Sequence, residues 1–262
     1  MGYISPFSGI ERLDLKYSGS LEAVLTDLEN TDDLRVLALH PSRIIRAIVD
    51  YKIEHPESNE IELLLKEAID STLRIYSTPS KSGEIARALR ERLKVYGIEE
   101  LLQKQLNQDS DYMTTMALEA ERSERTAEIL ARESSEDVLF IALGHGGIAA
   151  GMDAYLKFCE LSGSRGSRFY VARFSRHKLG DPEPKLSETE IEYLRTIAEG
   201  RRIVIFDEDI CSGETRKKAI NYFSGIFFGK PLRMICNIEQ KDFNKKNLQI
   251  PIITESISQY PY

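Results

Sequence analysis

The chain has 262 residues, 42% of them hydrophobic and 29% charged, with a net charge of −7. That length holds one large domain or two modest ones, and the composition is that of an ordinary folded protein. No apolar stretch reaches the length of a membrane span, no basic segment followed by an apolar one opens the chain, and Cys159, Cys211 and Cys236 form no Cys-x-x-Cys, so a spanning protein, a secretory leader, a disulfide framework and a cysteine zinc site are not indicated and a cytoplasmic location is expected.

The first half reads as helices. Pro41 suits the first turn of a helix carrying Ile44, Ile45, Ile48 and Val49 on one face. Asn59-Glu-Ile-Glu62 resembles a capping box before Leu63-Leu64-Leu65, with Ala68, Ile69 and Leu73 continuing at helical spacing. A third helix is expected from about Gly83 to Leu106, broken near Gly97, and a fourth over roughly Tyr112–Arg132. These stripes are core faces, and residues 1–110 show no pattern of chemistry. Neither His40 nor His55 has a partner at metal-ligand spacing.

The second half changes character. Val138–Leu143, Arg168–Phe174, Ile203–Phe206 and Leu232–Ile238 are short apolar runs separated by helical or polar segments. Near-continuous hydrophobic runs of that kind suit a parallel sheet buried on both faces. Helices are expected at about Gly147–Leu161 and Glu214–Phe228, and a polar loop over Arg176–Glu190. Gln249–Ile253 could add an edge strand interrupted by Pro251. The expected organisation is a helical N-terminal domain, 1–110, followed by an α/β domain, 111–262, with a doubly wound parallel sheet.

Charge follows the same division. Residues 1–136 carry a net −9 and residues 137–262 a net +2. The mildly basic half suits an anionic small molecule. No basic stripe with interleaved aromatics appears, so nucleic acid is not favoured as a partner. Neither a Walker loop nor Gly-x-Gly-x-x-Gly is present.

Three segments at the carboxyl ends of the expected strands carry the chemistry. Arg202-Ile-Val-Ile-Phe206 ends in the acidic pair Asp207-Glu208, followed by Asp209-Ile210-Cys211-Ser212-Gly213-Glu214-Thr215 at the entry to a helix. Carboxylates can grip sugar hydroxyls, while backbone N–H groups, hydroxyls and a helix N-terminus can hold a phosphate. Read structurally, the same residues are a strand ending in polar groups with Ser212 capping the next helix. The second segment is Gly144-His145-Gly146-Gly147, which allows close backbone approach to an anion or simply a tight strand-to-helix turn. The third is Arg173-Phe-Ser-Arg176-His177-Lys178, a basic cluster that opens the polar loop.

Four apolar residues, two acidic ones and a loop ending Ser212-Gly213-Glu214-Thr215 resemble the signature of type I phosphoribosyltransferases. The resemblance covers residues 137–240. It implies the fold of that family and transfer of a phosphoribosyl group from phosphoribosyl pyrophosphate (PRPP) to a nitrogenous base or amine. It further implies that Asp207 and Glu208 are the catalytic pair at the ribose hydroxyls, directly or through a Mg²⁺ that the substrate bridges. Residues 209–215 would wrap the 5′-phosphate, 144–147 the pyrophosphate, and Arg173, Arg176, His177 and Lys178 would lie on a flexible loop closing over the site.

Two positions depart from the family pattern. His145 stands where Arg or Lys is frequent, and Cys211 stands where purine-specific members carry an acid. Those departures keep open a non-catalytic regulator or sensor of PRPP or a nucleotide, and an unrelated doubly wound protein remains the third reading. The acceptor is not named by the sequence. Residues 240–262, with Phe243, Tyr260 and Tyr262, and the helical half are candidates for the variable hood that sets specificity. The helical half also offers enough apolar face for a homodimer.

Overall fold

The computed structural model describes residues 2–10, 13–56, 58–174, 186–210 and 214–239. By internal contacts the chain divides into two compact units, Met1–Thr115 and Met116–Tyr262.

The first unit is helical, with α1 (Leu21–Asn30), α2 (Leu34–Glu54), α3 (Asn59–Ser77) and α4 (Ser82–Val95). Ser20 caps α1 by accepting from the Ala23 N–H at 3.2 Å, and Asp33 caps α2 by accepting from the Arg35 N–H at 2.8 Å. Helix α1 packs on α2 and α4, and α3 on α2 and α4, and the buried side chains include Leu21, Val24, Leu25 and Leu28 of α1, Ile44, Ile45 and Ile48 of α2, Leu64, Leu65 and Ile69 of α3, and Ile85 and Leu89 of α4. Each such side chain contributes roughly 1.5–3 kcal/mol when fully removed from water.

Several expected boundaries move. Pro41 lies inside α2 rather than in its first turn; the helix starts earlier, at the Asp33 cap, and the proline costs it one internal hydrogen bond. The cap of α3 is Ser58, whose side chain makes no bond to the helix backbone, so Asn59–Glu62 is not a capping box. The third helix stops at Val95 instead of reaching Leu106. Gly97 takes φ +67°, its N–H donates to Lys94 O, and the Ile98 N–H donates to Leu93 O, both at 3.0 Å. That Schellman closure, sealed by buried Leu93 and Ile98, sends the chain away from the helix axis.

Leu106 instead belongs to a ribbon that the sequence pattern did not reveal. Strand β1 (Tyr17–Ser20) pairs antiparallel with β2 (Gln105–Gln108), Tyr17 opposite Gln108 and Ser20 opposite Gln105. Its four-residue strands are rich in Ser, Gly, Gln and Asn and carry no alternation to read. Side chains of α2 hold it: Arg46 Nη2 donates to Asn107 O at 2.8 Å, and the Arg43 guanidinium lies 4.2 Å from the centre of the Tyr17 ring.

The second unit is mixed α/β. Its helices are α5 (Tyr112–Ala117), whose start falls in the first unit, α6 (Ala120–Glu133), α7 (Gly147–Ser162), α8 (Glu188–Ile197) and α9 (Glu214–Ile226). Strands β3 (Val138–Gly144), β4 (Arg168–Arg173), β5 (Arg202–Ile210) and β6 (Leu232–Glu239) form one parallel sheet in the order β4-β3-β5-β6. All seven residues of β3 are buried, as a central strand's apolar run requires.

Here too boundaries shift. The helix expected over Tyr112–Arg132 is two, broken where Leu118 turns inward and Glu119 stands extended as the cap of α6. The polar stretch expected as loop through Glu190 ends earlier. Ser187 and Glu190 form a capping box that opens α8, and the buried Glu190 carboxylate also accepts from the Tyr170 hydroxyl of β4. Residues 175–185 and the edge strand expected at 249–253 lie outside the described residues.

The connections fix where the carboxyl ends open. β3 leads through α7 to its neighbour β4, whereas β5 leads through α9 to its neighbour β6 on the other side. The direction of progression therefore reverses between β3 and β5. Among the described residues no helix is long and apolar enough to cross a membrane.

Candidate functional site

The site grows out of β5. Ile203, Val204, Ile205 and Phe206 are fully buried, so the strand is anchored through its apolar run. It then continues through Asp207 to Ile210, so the acidic pair stands within the strand and not in a loop after it. Asp207 is 8% exposed, and Glu208 and Asp209 are half-buried.

Strand alternation decides where the two carboxyls go. Side chains at 206 and 208 share one face. Phe206 packs against Gly151 of α7, so Glu208 on the same face is carried to the start of that helix. There it meets the glycine loop. A Cβ on Gly146 would stand 1.7 Å from Glu208 Oε1, and one on Gly147 3.5 Å from Oε2. The absent side chain at 146 is what lets the Glu208 carboxyl lie against the backbone.

The glycine loop is held from both sides. Ala142 is the register partner of Phe206, and Gly144 that of Arg173. The Gly144 carbonyl accepts from the Phe174 N–H at 3.2 Å, the Gly144–His145 peptide is cis, and the His145 carbonyl accepts from the Ile148 N–H at 3.3 Å. Four sequence candidates, Gly144, Gly146, Asp207 and Glu208, are thereby brought together. They sit at the carboxyl ends of β3 and β5, where the strand progression reverses and where open α/β sheets place their ligands.

Electrostatics mark the acid pair. Burial raises the Asp207 carboxyl to about 6, with Asp209 adding to the rise, and raises Glu208 well above the usual carboxylate range, with neighbouring Asp207 adding its repulsion. The Glu208 N–H donates to Asp207 Oδ1 at 3.1 Å.

Other candidates fall elsewhere. Arg173 is not on a loop: it is the last residue of β4 and only 4% exposed, fixed level with Gly144 by the sheet. Asp209 and Ile210 continue β5, and Glu214 and Thr215 open α9. Cys211, Ser212, Gly213, Arg176, His177 and Lys178 lie outside the described residues, as do Phe243, Tyr260 and Tyr262. Among the described residues no group of three or more His, Cys, Asp or Glu could hold a metal ion.

One buried polar residue beside the site escaped the sequence reading. The β5–β6 register, with Asp207 opposite Cys236, puts Asn237 level with Glu208. Asn237 is 1% exposed, accepts from Thr126 Oγ1 at 2.7 Å, and donates to Ala117 O at 2.7 Å and Ser123 Oγ at 3.2 Å. These bonds tie β6 to α5 and α6 beside the acidic strand end. A lone Asn within the apolar run Leu232–Ile238 was the available signal.

Comparison of the chain with family models, with curated proteins and with solved structures finds no match.

Proposed function

We propose that this chain is a Mg²⁺-dependent phosphoribosyltransferase of the type I kind, with a doubly wound sheet and PRPP as donor. One observation carries the reading: the glycine loop and the acidic strand end lie against each other, with Glu208 over Gly146, at the reversal point of a parallel sheet. An anion-binding turn beside a carboxyl pair fits a ligand that is phosphate at one end and polyhydroxyl at the other. The sequence resemblance supplies the family, and the mildly basic charge of this half agrees with an anionic ligand.

In this reading Asp207 and Glu208 accept hydrogen bonds from the vicinal ribose hydroxyls and stabilise the positive charge that develops at the anomeric carbon. Backbone around Gly144–Gly147 receives the pyrophosphate, and the Arg173 guanidinium, fixed at the end of β4, supplies positive charge beside it. Residues 209–215 take the 5′-phosphate. The bond from the anomeric carbon to pyrophosphate breaks, a bond to the acceptor nitrogen forms, and the acceptor's proton passes to solvent. The carboxyl pair offers only hard oxygen donors, the set Mg²⁺ takes together with water and phosphate oxygens. Bound there, the ion would neutralise the leaving pyrophosphate. The chain's own part is positioning and charge complementarity.

Calorimetric titration of PRPP with Mg²⁺ into wild type and the double variant D207N/E208Q tests the donor. Binding to wild type that is lost in the folded double variant is expected. A folded wild type that takes up no PRPP would overturn the reading.

His145 favours one second reading, a PRPP or nucleotide sensor without turnover, because the loop lacks the fixed cation frequent at that place in the family. Release of pyrophosphate from PRPP with a mixture of bases separates the two. Turnover supports the enzyme, and binding without turnover the sensor.

A further inference from the structure

The carboxyl that the proposed function assigns to ribose lies in the place assigned to pyrophosphate. Glu208 Oε1 occupies the space directly over Gly146, and its Oε2 reaches towards Gly147 at the first turn of α7. Any anion approaching those two glycines from the same side meets the carboxyl first, as volume. Side-chain length makes this contact. Glu208 is the longer member of the acidic pair and shares the α7-facing side of β5 with Phe206, whereas Asp207 projects to the opposite side of the strand. An aspartate at 208 would fall one methylene short of the loop. Glu208 is also half-buried and not sealed in, and its side chain has rotatable bonds of its own.

We infer that Glu208 makes the site selective by linking its two halves: the carboxyl covers the glycine loop until ribose hydroxyls draw it aside, so the loop accepts pyrophosphate in company with ribose and rejects it alone. This inference rests on the reading of the site as a PRPP site. The energetic logic is that of any linked pair of sites. Withdrawing the carboxyl has a cost, the diol meets that cost by hydrogen-bonding it, and the pyrophosphate then binds an already open loop. Free pyrophosphate and inorganic phosphate must meet the whole cost themselves. Excluding the free product in this way would also favour its departure after transfer, once the ribose has left.

The test is calorimetric titration of Mg²⁺-pyrophosphate into wild type, E208A and E208D, and into wild type saturated with ribose 5-phosphate. Both substitutions shorten the side chain, and E208D keeps a carboxyl at the position. The expected result is weak binding of pyrophosphate to wild type, about five-fold or more tighter binding to both variants, and a similar tightening of wild type by ribose 5-phosphate. A side chain with only a structural or ribose-binding part would leave pyrophosphate affinity unchanged or weaker on truncation. Equal or weaker affinity in both variants overturns the inference, and so does a wild type indifferent to ribose 5-phosphate. PRPP binding to wild type is measured alongside: if PRPP binds while these shifts are absent, the inference alone fails, and if PRPP does not bind, the donor assignment fails with it.

Discussion

The backbone N–H of Glu208 donates to Asp207 Oδ1 at 3.1 Å, which fixes the Asp207 carboxyl against the backbone of β5. Burial raises both, Asp207 to about 6 and Glu208 well above the ordinary carboxylate range. Between the unfolded value near 3.8 and these raised values the native state therefore binds more protons than the unfolded state. Stability from this pair is full below about pH 4 and is lost as pH rises through 6 and beyond. Thermal melts of wild type and D207N from pH 4 to 8 read this directly. The melting temperature of wild type is expected to decline relative to D207N across that range, by several degrees (~3–6 °C). Parallel pH profiles would show that the pair does not hold its proton.

Gly151 of α7 sets how closely that helix lies on the sheet. A Cβ there would stand 3.0 Å from both Ala142 Cβ and Phe206 Cδ1, atoms fixed in the buried strands β3 and β5. G151A is expected to destabilise the second unit by about 1–2 kcal/mol, overpacking outweighing the better helix propensity of alanine. G147A is the control, since its nearest neighbours would be at 3.5 Å, an ordinary contact, and a change within about 0.5 kcal/mol is expected. Denaturant unfolding of the two variants checks the contrast. Equal losses would mean that α7 is not seated as closely as these distances require.

In the first unit, Arg43 Nη1 lies 3.0 Å from His40 Nδ1. A guanidinium has no acceptor, so Nδ1 accepts, the imidazole proton sits on Nε2, and Nε2 donates to Asp27 Oδ2 at 3.0 Å. Burial lowers the His40 pKa; the Asp27 bond opposes the fall and the Arg43 charge adds to it. The native state then binds fewer protons than the unfolded chain. Stability from His40 is present above its ordinary pKa near 6.5 and is lost as pH falls through the lowered native value. H40A is expected to cost about 1–3 kcal/mol at pH 7, by leaving Asp27 and Arg43 without this partner, and to flatten the loss of stability between pH 7 and 5. Circular dichroism melts over that range give both numbers, and an unchanged acid slope in H40A would place the sensitivity elsewhere.

Much of the second unit was legible locally. The run Val138–Leu143 has no polar residue to turn towards water, so it could only be a buried strand, and β3 is buried along its whole length. The same holds for Ile203–Phe206, and the glycines closing one apolar run and the acids closing the other were visible as a change of residue type. The ribbon β1–β2 was not legible, because its residues have no pattern of their own and its place depends on Arg43 and Arg46 reaching across from α2. The position of Arg173 was misread for a related reason. A charged residue at the edge of an apolar run is written the same way whether it begins a loop or ends a buried strand.

The amino-acid sequence by itself determined the four strands of the second unit, the glycines and carboxyl groups at their carboxyl ends, and the chain order in which these come. These follow from local rules of periodicity, backbone freedom and side-chain chemistry. Tertiary structure alone decided that β3 and β5 are neighbours, and hence that Gly146 and Glu208, far apart in the chain, touch. Strand pairing is a non-local choice, made by how all the apolar faces can be buried at once. It also decided which of two adjacent carboxyls faces the glycine loop, because the face of an alternating strand acquires meaning only when a helix has packed against it.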